Sequence, residues 1–214
     1  MEKLTLYGRA GWGSVLIESQ LVWYDIPFTF YEVNNLFSDE SARQSLEKLN
    51  PLAQVPTLIM SDGSVMTESS AITLWLAEKV ESEALVPAAR MPERAQFLRW
   101  LIFITSNLYP TYTYSDRASW FVPEKLAQSD FVHQVNQYTE KLYLILNAAA
   151  ADPWFLGERF SALDIYICAM SHWPPGQAWL EENAPTLFNI AVATKALPKL
   201  SEVWARNYPD GWTL

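Results

Sequence analysis

The stretch Asn50-Pro51-Leu52-Ala53-Gln54-Val55-Pro56-Thr57-Leu58-Ile59-Met60, continuing through Asp62-Gly63, Ser64-Val65-Met66 and Glu68-Ser69-Ser70, decides the fold. Two short apolar runs flank Asp-Gly, a favoured two-residue hairpin turn, so residues 55–60 and 64–66 are expected to pair antiparallel. Glu68-Ser69-Ser70 then supplies the polar start of a helix that runs to about Val80. Upstream, Asn50-Pro51 closes a short helix that Ser38-Asp39-Glu40 opens with a cap and first-turn acids. A proline at the first position of a strand removes no needed ladder donor, and an X-Pro bond takes the cis form at a cost of only ~0.5–1 kcal/mol. Pro56 therefore fits the beginning of the third strand.

Toward the N-terminus, Lys3 to Tyr7 alternates apolar and polar residues and enters the turn Gly8-Arg9-Ala10-Gly11-Trp12-Gly13-Ser14. A helical, mainly apolar face on Val15, Leu16, Ser19, Leu21, Val22 and Trp23 lasts until Asp25-Ile26-Pro27, after which Phe28 to Val33 reads as a second strand. The order β-α-β-α-β-β-α over roughly 80 residues is that of a thioredoxin-like domain. Toward the C-terminus, Leu85-Val86-Pro87 and Met91-Pro92 read as a linker, and helices are expected at about 92–115, 124–150, 161–172, 176–183 and 185–206. The expected architecture is an α/β thioredoxin-like N-terminal domain over 1–82 and an all-α C-terminal domain over 90–214.

Composition narrows the chemistry. Fifteen Lys and Arg against 24 Asp and Glu leave a net charge of −9 with no basic run, which argues against nucleic acid as a partner. No apolar run approaches a membrane span and the opening Met1-Glu2-Lys3-Leu4 has no signal-peptide pattern, so a cytoplasmic location and no membrane partner are expected. A single cysteine, Cys168, in an apolar run reads as a buried thiol, and His133 and His172 stand apart, so no metal site is expected. A thiol-disulfide reductase of the Cys-x-x-Cys kind is excluded for the same reason.

Three stretches together resemble the cytosolic glutathione S-transferase family, in its bacterial type. Asn50 to Leu58 is similar to the family's Asn-Pro-x-x-x-Val-Pro-x-Leu segment, and Glu68-Ser69-Ser70-Ala71-Ile72 to its Glu-Ser-x-x-Ile signature. Phe155-Leu156-Gly157-Glu158-Arg159-Phe160-Ser161-Ala162-Leu163-Asp164 resembles its Phe-Leu-x-Gly-x-x-Phe-Ser-x-x-Asp segment with the glycine shifted by one, and reads physically as a capping box with Phe160 packing on Ile165. The resemblance implies a cis Pro56 and a glutathione co-substrate bound by Gln54, Val55, Pro56, Glu68 and Ser69. Ser69 at a helix N-terminus would take the γ-glutamyl carboxylate and Glu68 the ammonium.

The family also implies a thiol-activating residue between the first strand and first helix. The positions where related classes keep Ser or Cys are Gly11 and Gly13 here, which leaves Ser14, Tyr7 or the backbone N–H groups of the glycine-rich turn. Trp12, Asn107, Tyr109 and Tyr112 are the expected substrate-binding side chains for a small hydrophobic electrophile. The implied function is conjugation or reduction of such electrophiles in detoxification by a homodimer. The rival is a non-catalytic binding or scaffold protein that keeps the fold.

Overall fold

A computed structural model describes residues 3–210. The described chain forms two compact units: everything up to Val86 together with the segment from Ala193 onward, and Pro87–Val192. The expected division put all residues from 90 on in the helical domain, whereas here the last segment joins the sheet-containing unit.

That unit holds β1 (Leu4–Gly8), α1 (Val15–Trp23), β2 (Phe28–Glu32), α2 (Glu40–Glu47), β3 (Thr57–Ile59), β4 (Val65–Met66) and α3 (Ser69–Lys79). The strands form one mixed sheet in the order β2-β1-β3-β4, with β1 parallel to β2 and antiparallel to β3. This is the expected thioredoxin-like arrangement. Strand alternation divides β1 between two cores. Leu4 and Leu6 pack with Leu58, with Ile17 and Leu21 of α1 and with Ile72 and Leu76 of α3. Tyr7 points to the other face, where Val33, Leu36, Leu46 and Ala53 are buried and Trp12 and Val55 lie against them. Asp39 caps α2 by accepting from the Ala42 N–H at 2.9 Å. The hairpin turn is closed by Asp62, whose carboxylate accepts from the Ser64 N–H, and Gly63 supplies φ 84°.

In the second unit, α4 (Arg94–Phe103) passes through a π-turn, Ile104–Leu108, into α5 (Tyr109–Asp116). One unbroken helix was expected over 92–115. Pro110 explains the difference: it has no N–H to donate to the preceding turn, and a wider turn accommodates the missing bond. A short α6 (Ala118–Phe121), the long α7 (Gln128–Ala149), α8 (Ala162–Met170) and α9 (Gln177–Asn183) follow. The division between units falls within α10 (Pro185–Lys195). The expected helix 185–206 is broken at Leu197-Pro198, where the residue before proline is extended and a 3₁₀ turn leads into α11 (Ser201–Asn207).

The capping box forms at α8. Asp164 accepts from the Ser161 N–H at 2.7 Å, and Ser161 Oγ accepts from the Leu163 N–H. Asp164 also accepts from the Phe155 N–H at 2.7 Å, so one buried carboxylate joins the helix start to the preceding turn. Phe160 sets its ring edge-on to Trp154 at 4.9 Å.

Candidate functional site

Three chain segments converge at one end of the sheet. The β1–β3 register pairs Tyr7 with Thr57, and extending it brings the turn after Gly8 beside Val55-Pro56. The β3–β4 register pairs Leu58 with Met66, and extending it brings Glu68-Ser69 beside the same two residues.

The Val55-Pro56 peptide is cis, as expected. Asn50 Nδ2 donates to the Gln54 carbonyl at 3.0 Å and to Thr57 Oγ1, and Thr57 Oγ1 donates to the same carbonyl at 2.7 Å. These contacts fix the peptide that precedes Val55. The N–H and carbonyl of Val55 itself have no partner among the described residues. A free donor and acceptor on one extended residue can pair with an extended peptide as a further strand would.

Beside it, α3 begins at Ser69, and the N–H groups of Ser69, Ser70 and Ala71 are the unpaired donors of its first turn. Glu68 is exposed and has φ 63° and ψ 103°, a conformation that L residues avoid at a cost of ~1–3 kcal/mol. Strained residues of this kind cluster at active sites, ligand clamps and switch regions. Gln54 is also exposed, while Pro56 is buried.

The turn Gly8 to Ser14 is built differently from expectation. Ser14 is fully buried, its Oγ accepts from the Arg9 N–H at 3.0 Å and donates to the Arg9 carbonyl at 3.0 Å. The hydroxyl's one proton, expected to serve a bound thiol, is therefore directed at the backbone. Nor does Ser14 cap α1 with its side chain. Gly8 is required by this closure, since a Cβ there would lie 2.5 Å from Ser14 Cβ. The N–H groups of Gly13 and Ser14, both on buried residues, have no acceptor among the described residues. Tyr7 is half-buried and rests on Tyr31 with ring centroids 4.5 Å apart. Trp12 stacks on Phe37 at 4.7 Å, and the Arg9 guanidinium lies over its ring while donating to the Val33 carbonyl.

Two residues not singled out from sequence support this turn. Asn207 of α11 accepts from the Gly11 N–H at 3.0 Å through Oδ1, and its Nδ2 donates to Glu18 of α1 at 2.9 Å. Glu18 is fully buried and is paired with Arg206. The available signal was a carboxylate directly after the apolar Val15-Leu16-Ile17 on the first helix.

In the helical unit, Tyr109 and Tyr112 meet edge-on at 6.0 Å and both meet Trp173, at 5.6 and 5.3 Å. The Tyr112 hydroxyl bonds the Tyr143 hydroxyl at 2.7 Å, and Tyr143 donates to the Met170 carbonyl. Burial pushes the Tyr109 and Tyr143 hydroxyls well above the usual phenol range, and the nearby Tyr166 adds to the shift at Tyr109. Two of the expected substrate residues are thus brought together, bound into the helical packing. Asn107 lies on the π-turn and donates to the Phe103 carbonyl and Ser106 Oγ.

Residues 18–79 match the family model for the glutathione S-transferase N-terminal domain. The chain is 37% identical to the uncharacterized GST-like protein YncG of Escherichia coli K12 over 95% of its own length and 98% of that protein's. It belongs to the glutathione S-transferase family. It is also 30% identical to glutathione S-transferase GstA of Escherichia coli O157:H7, over 72% of this chain and 73% of that one. The fold is similar to that of a glutathione transferase homologue from Sulfitobacter solved with bound glutathione, with a TM-score of 0.82, 22% identity, and coverage of 95% of this chain and 97% of that one. As a member of this family, the chain carries its Val55-Pro56 and Glu68-Ser69 segments in the geometry described above.

Proposed function

We propose that this protein binds glutathione at Gln54, Val55, Pro56, Glu68 and Ser69 and uses its thiolate to conjugate or reduce small hydrophobic electrophiles. The observation that carries the reading is the convergence of an unpaired Val55 backbone with the free first-turn N–H groups of α3. The γ-glutamyl carboxylate meets the Ser69 and Ser70 donors, where the helix dipole favours an anion, and Glu68 takes the ammonium. The cysteinyl part pairs with Val55 as a strand would. This directs the sulfur toward the turn before α1.

Free thiols of this kind ionise near ~8.5, and a two-unit lowering requires ~2.7 kcal/mol of preference for the thiolate. With the Ser14 proton on Arg9, the N–H of Gly13 is the donor for that task, and Tyr7 is the alternative. A rise of a unit or more in the bound thiol's pKa in Tyr7→Phe would transfer the role to Tyr7. Trp12, Asn107, Tyr109 and Tyr112 are the side chains proposed for the apolar electrophile, through ring faces and edges. The setting is a cytoplasmic homodimer engaged in detoxification.

Truncating a partner of a charge-assisted contact costs a few kcal/mol. Ser69→Ala and Glu68→Ala should each weaken glutathione at least about tenfold by calorimetry. Equal affinity in the wild type and both variants would sink the assigned site. Tight binding with an unshifted thiol would leave the non-catalytic reading in its place.

A further inference from the structure

Asn207 is 4% exposed, and every polar atom of its side chain is committed. Oδ1 accepts from the Gly11 N–H at 3.0 Å, while Nδ2 donates to Glu18 Oε2 and to the Val203 carbonyl, both at 2.9 Å. The amide has only one workable orientation, because reversing it would set its oxygen against a carboxylate and a carbonyl and its NH₂ against an N–H. Glu18 is held in turn by Arg206, whose guanidinium also lies 4.9 Å over the Phe30 ring. Gly11 has φ 75°, and a Cβ at this position would lie 3.4 Å from the Asn207 carbonyl oxygen, so turn and helix end approach closely. One side chain, 196 residues away in sequence, thus fixes the peptide two residues ahead of Gly13.

We propose that Asn207 is a positioning residue for thiol activation: it holds the Gly11-Trp12-Gly13-Ser14 turn so that the N–H of Gly13 faces the sulfur of bound glutathione. The proposal rests on the glutathione site assigned above. Hydrogen-bond stabilisation of an anion falls steeply with misalignment, so donors held only by a glycine-rich turn need an external brace. The hydroxyl of Ser14 closes the turn on its Arg9 side, and Asn207 closes it on its Gly11 side.

The test is a pH titration of thiolate absorbance in the glutathione complex of the full chain, for wild type, Asn207→Ala and Thr139→Ala. Thr139 is a buried helical-unit residue that donates to the Val135 carbonyl, so its variant reports what a loss of stability alone does. Asn207→Ala should raise the bound thiol's pKa by about one unit, a tenfold loss of thiolate below that pKa. Its affinity for S-methylglutathione should stay within about twofold of wild type, since the Val55, Glu68 and Ser69 contacts remain. Hydrogen exchange at the Gly11–Ser14 amides should quicken in parallel, and Thr139→Ala should change none of the three. If Asn207→Ala fails to fold, Asn207→Ser, which retains a small hydrogen-bonding group, carries the same comparison. A wild-type thiol pKa that is lowered and unchanged in the Asn207 variant overturns this proposal and leaves the glutathione site standing. Absence of glutathione binding in the wild type overturns both.

Discussion

At the scale of single residues, Glu68 and Ser14 show what local sequence does and does not convey. The place of Glu68 at a helix start was legible because its neighbours form a recognisable strand-turn-helix sequence, but its φ of 63° was not, since nothing in Thr67-Glu68-Ser69 requires it. The strain offers a direct test. Glycine accepts this backbone freely while alanine keeps the steric penalty, and glycine's extra unfolded-state entropy offsets only ~1 kcal/mol. Glu68→Gly is therefore expected to be more stable than Glu68→Ala by about 1 kcal/mol, with glutathione affinity lost equally in both. Chemical denaturation of the two variants checks this, and a less stable glycine variant would show that the conformation carries no cost. Ser14 differs for another reason. A serine before a helix suggests a cap or a donor, and only the fold reveals that Gly8 lets its hydroxyl close on Arg9 instead.

At the scale of elements, the start of α8 carries a pH dependence. Asp164 is pushed up to about 6, chiefly by burial, against the opposing bonds from Phe155 and Ser161. The folded state therefore holds a proton there at pH values where the unfolded carboxyl, near ~3.9, has released it. Stability from this group is greatest below the unfolded value and is lost as pH rises through about 6. Between pH 7 and 5 the wild type should gain on Asp164→Asn by about 1 kcal/mol, read from paired denaturation curves. A difference that stays flat, or that grows toward neutral pH, would mean the carboxylate is favoured in the fold. The element itself was legible because a capping box is confined to Ser161–Asp164. The same holds for Asn50–Pro56 and the Asp62-Gly63 hairpin. The π-turn at Ile104–Leu108 and the full break at Pro198, where a helix end or kink was expected, were not, although both follow from prolines in plain view. Helical periodicity masked them, because an apolar face continues across a widened turn nearly as well as across a regular one.

At the scale of the molecule, the proposed pairing has a simple measure. Light scattering at micromolar concentration should return twice the 24.5 kDa chain mass, and a single-chain value would remove the homodimer. The division of the chain was the least legible feature at this scale. Glu18 is 189 residues from the Asn207 that donates to it, and no local pattern encodes a contact of that span. This connection also bears on synthesis. Domains ordinarily complete themselves in the order in which they leave the ribosome. Here the α1 segment carries a carboxylate destined for burial, and its partner Asn207 is made only 189 residues after it, with Arg206 just before. Until those partners emerge Glu18 keeps its water only if α1 stays unsealed, and Pro87–Val192 is translated within that interval. Glu18 can therefore be sealed only after Pro87–Val192 has been made.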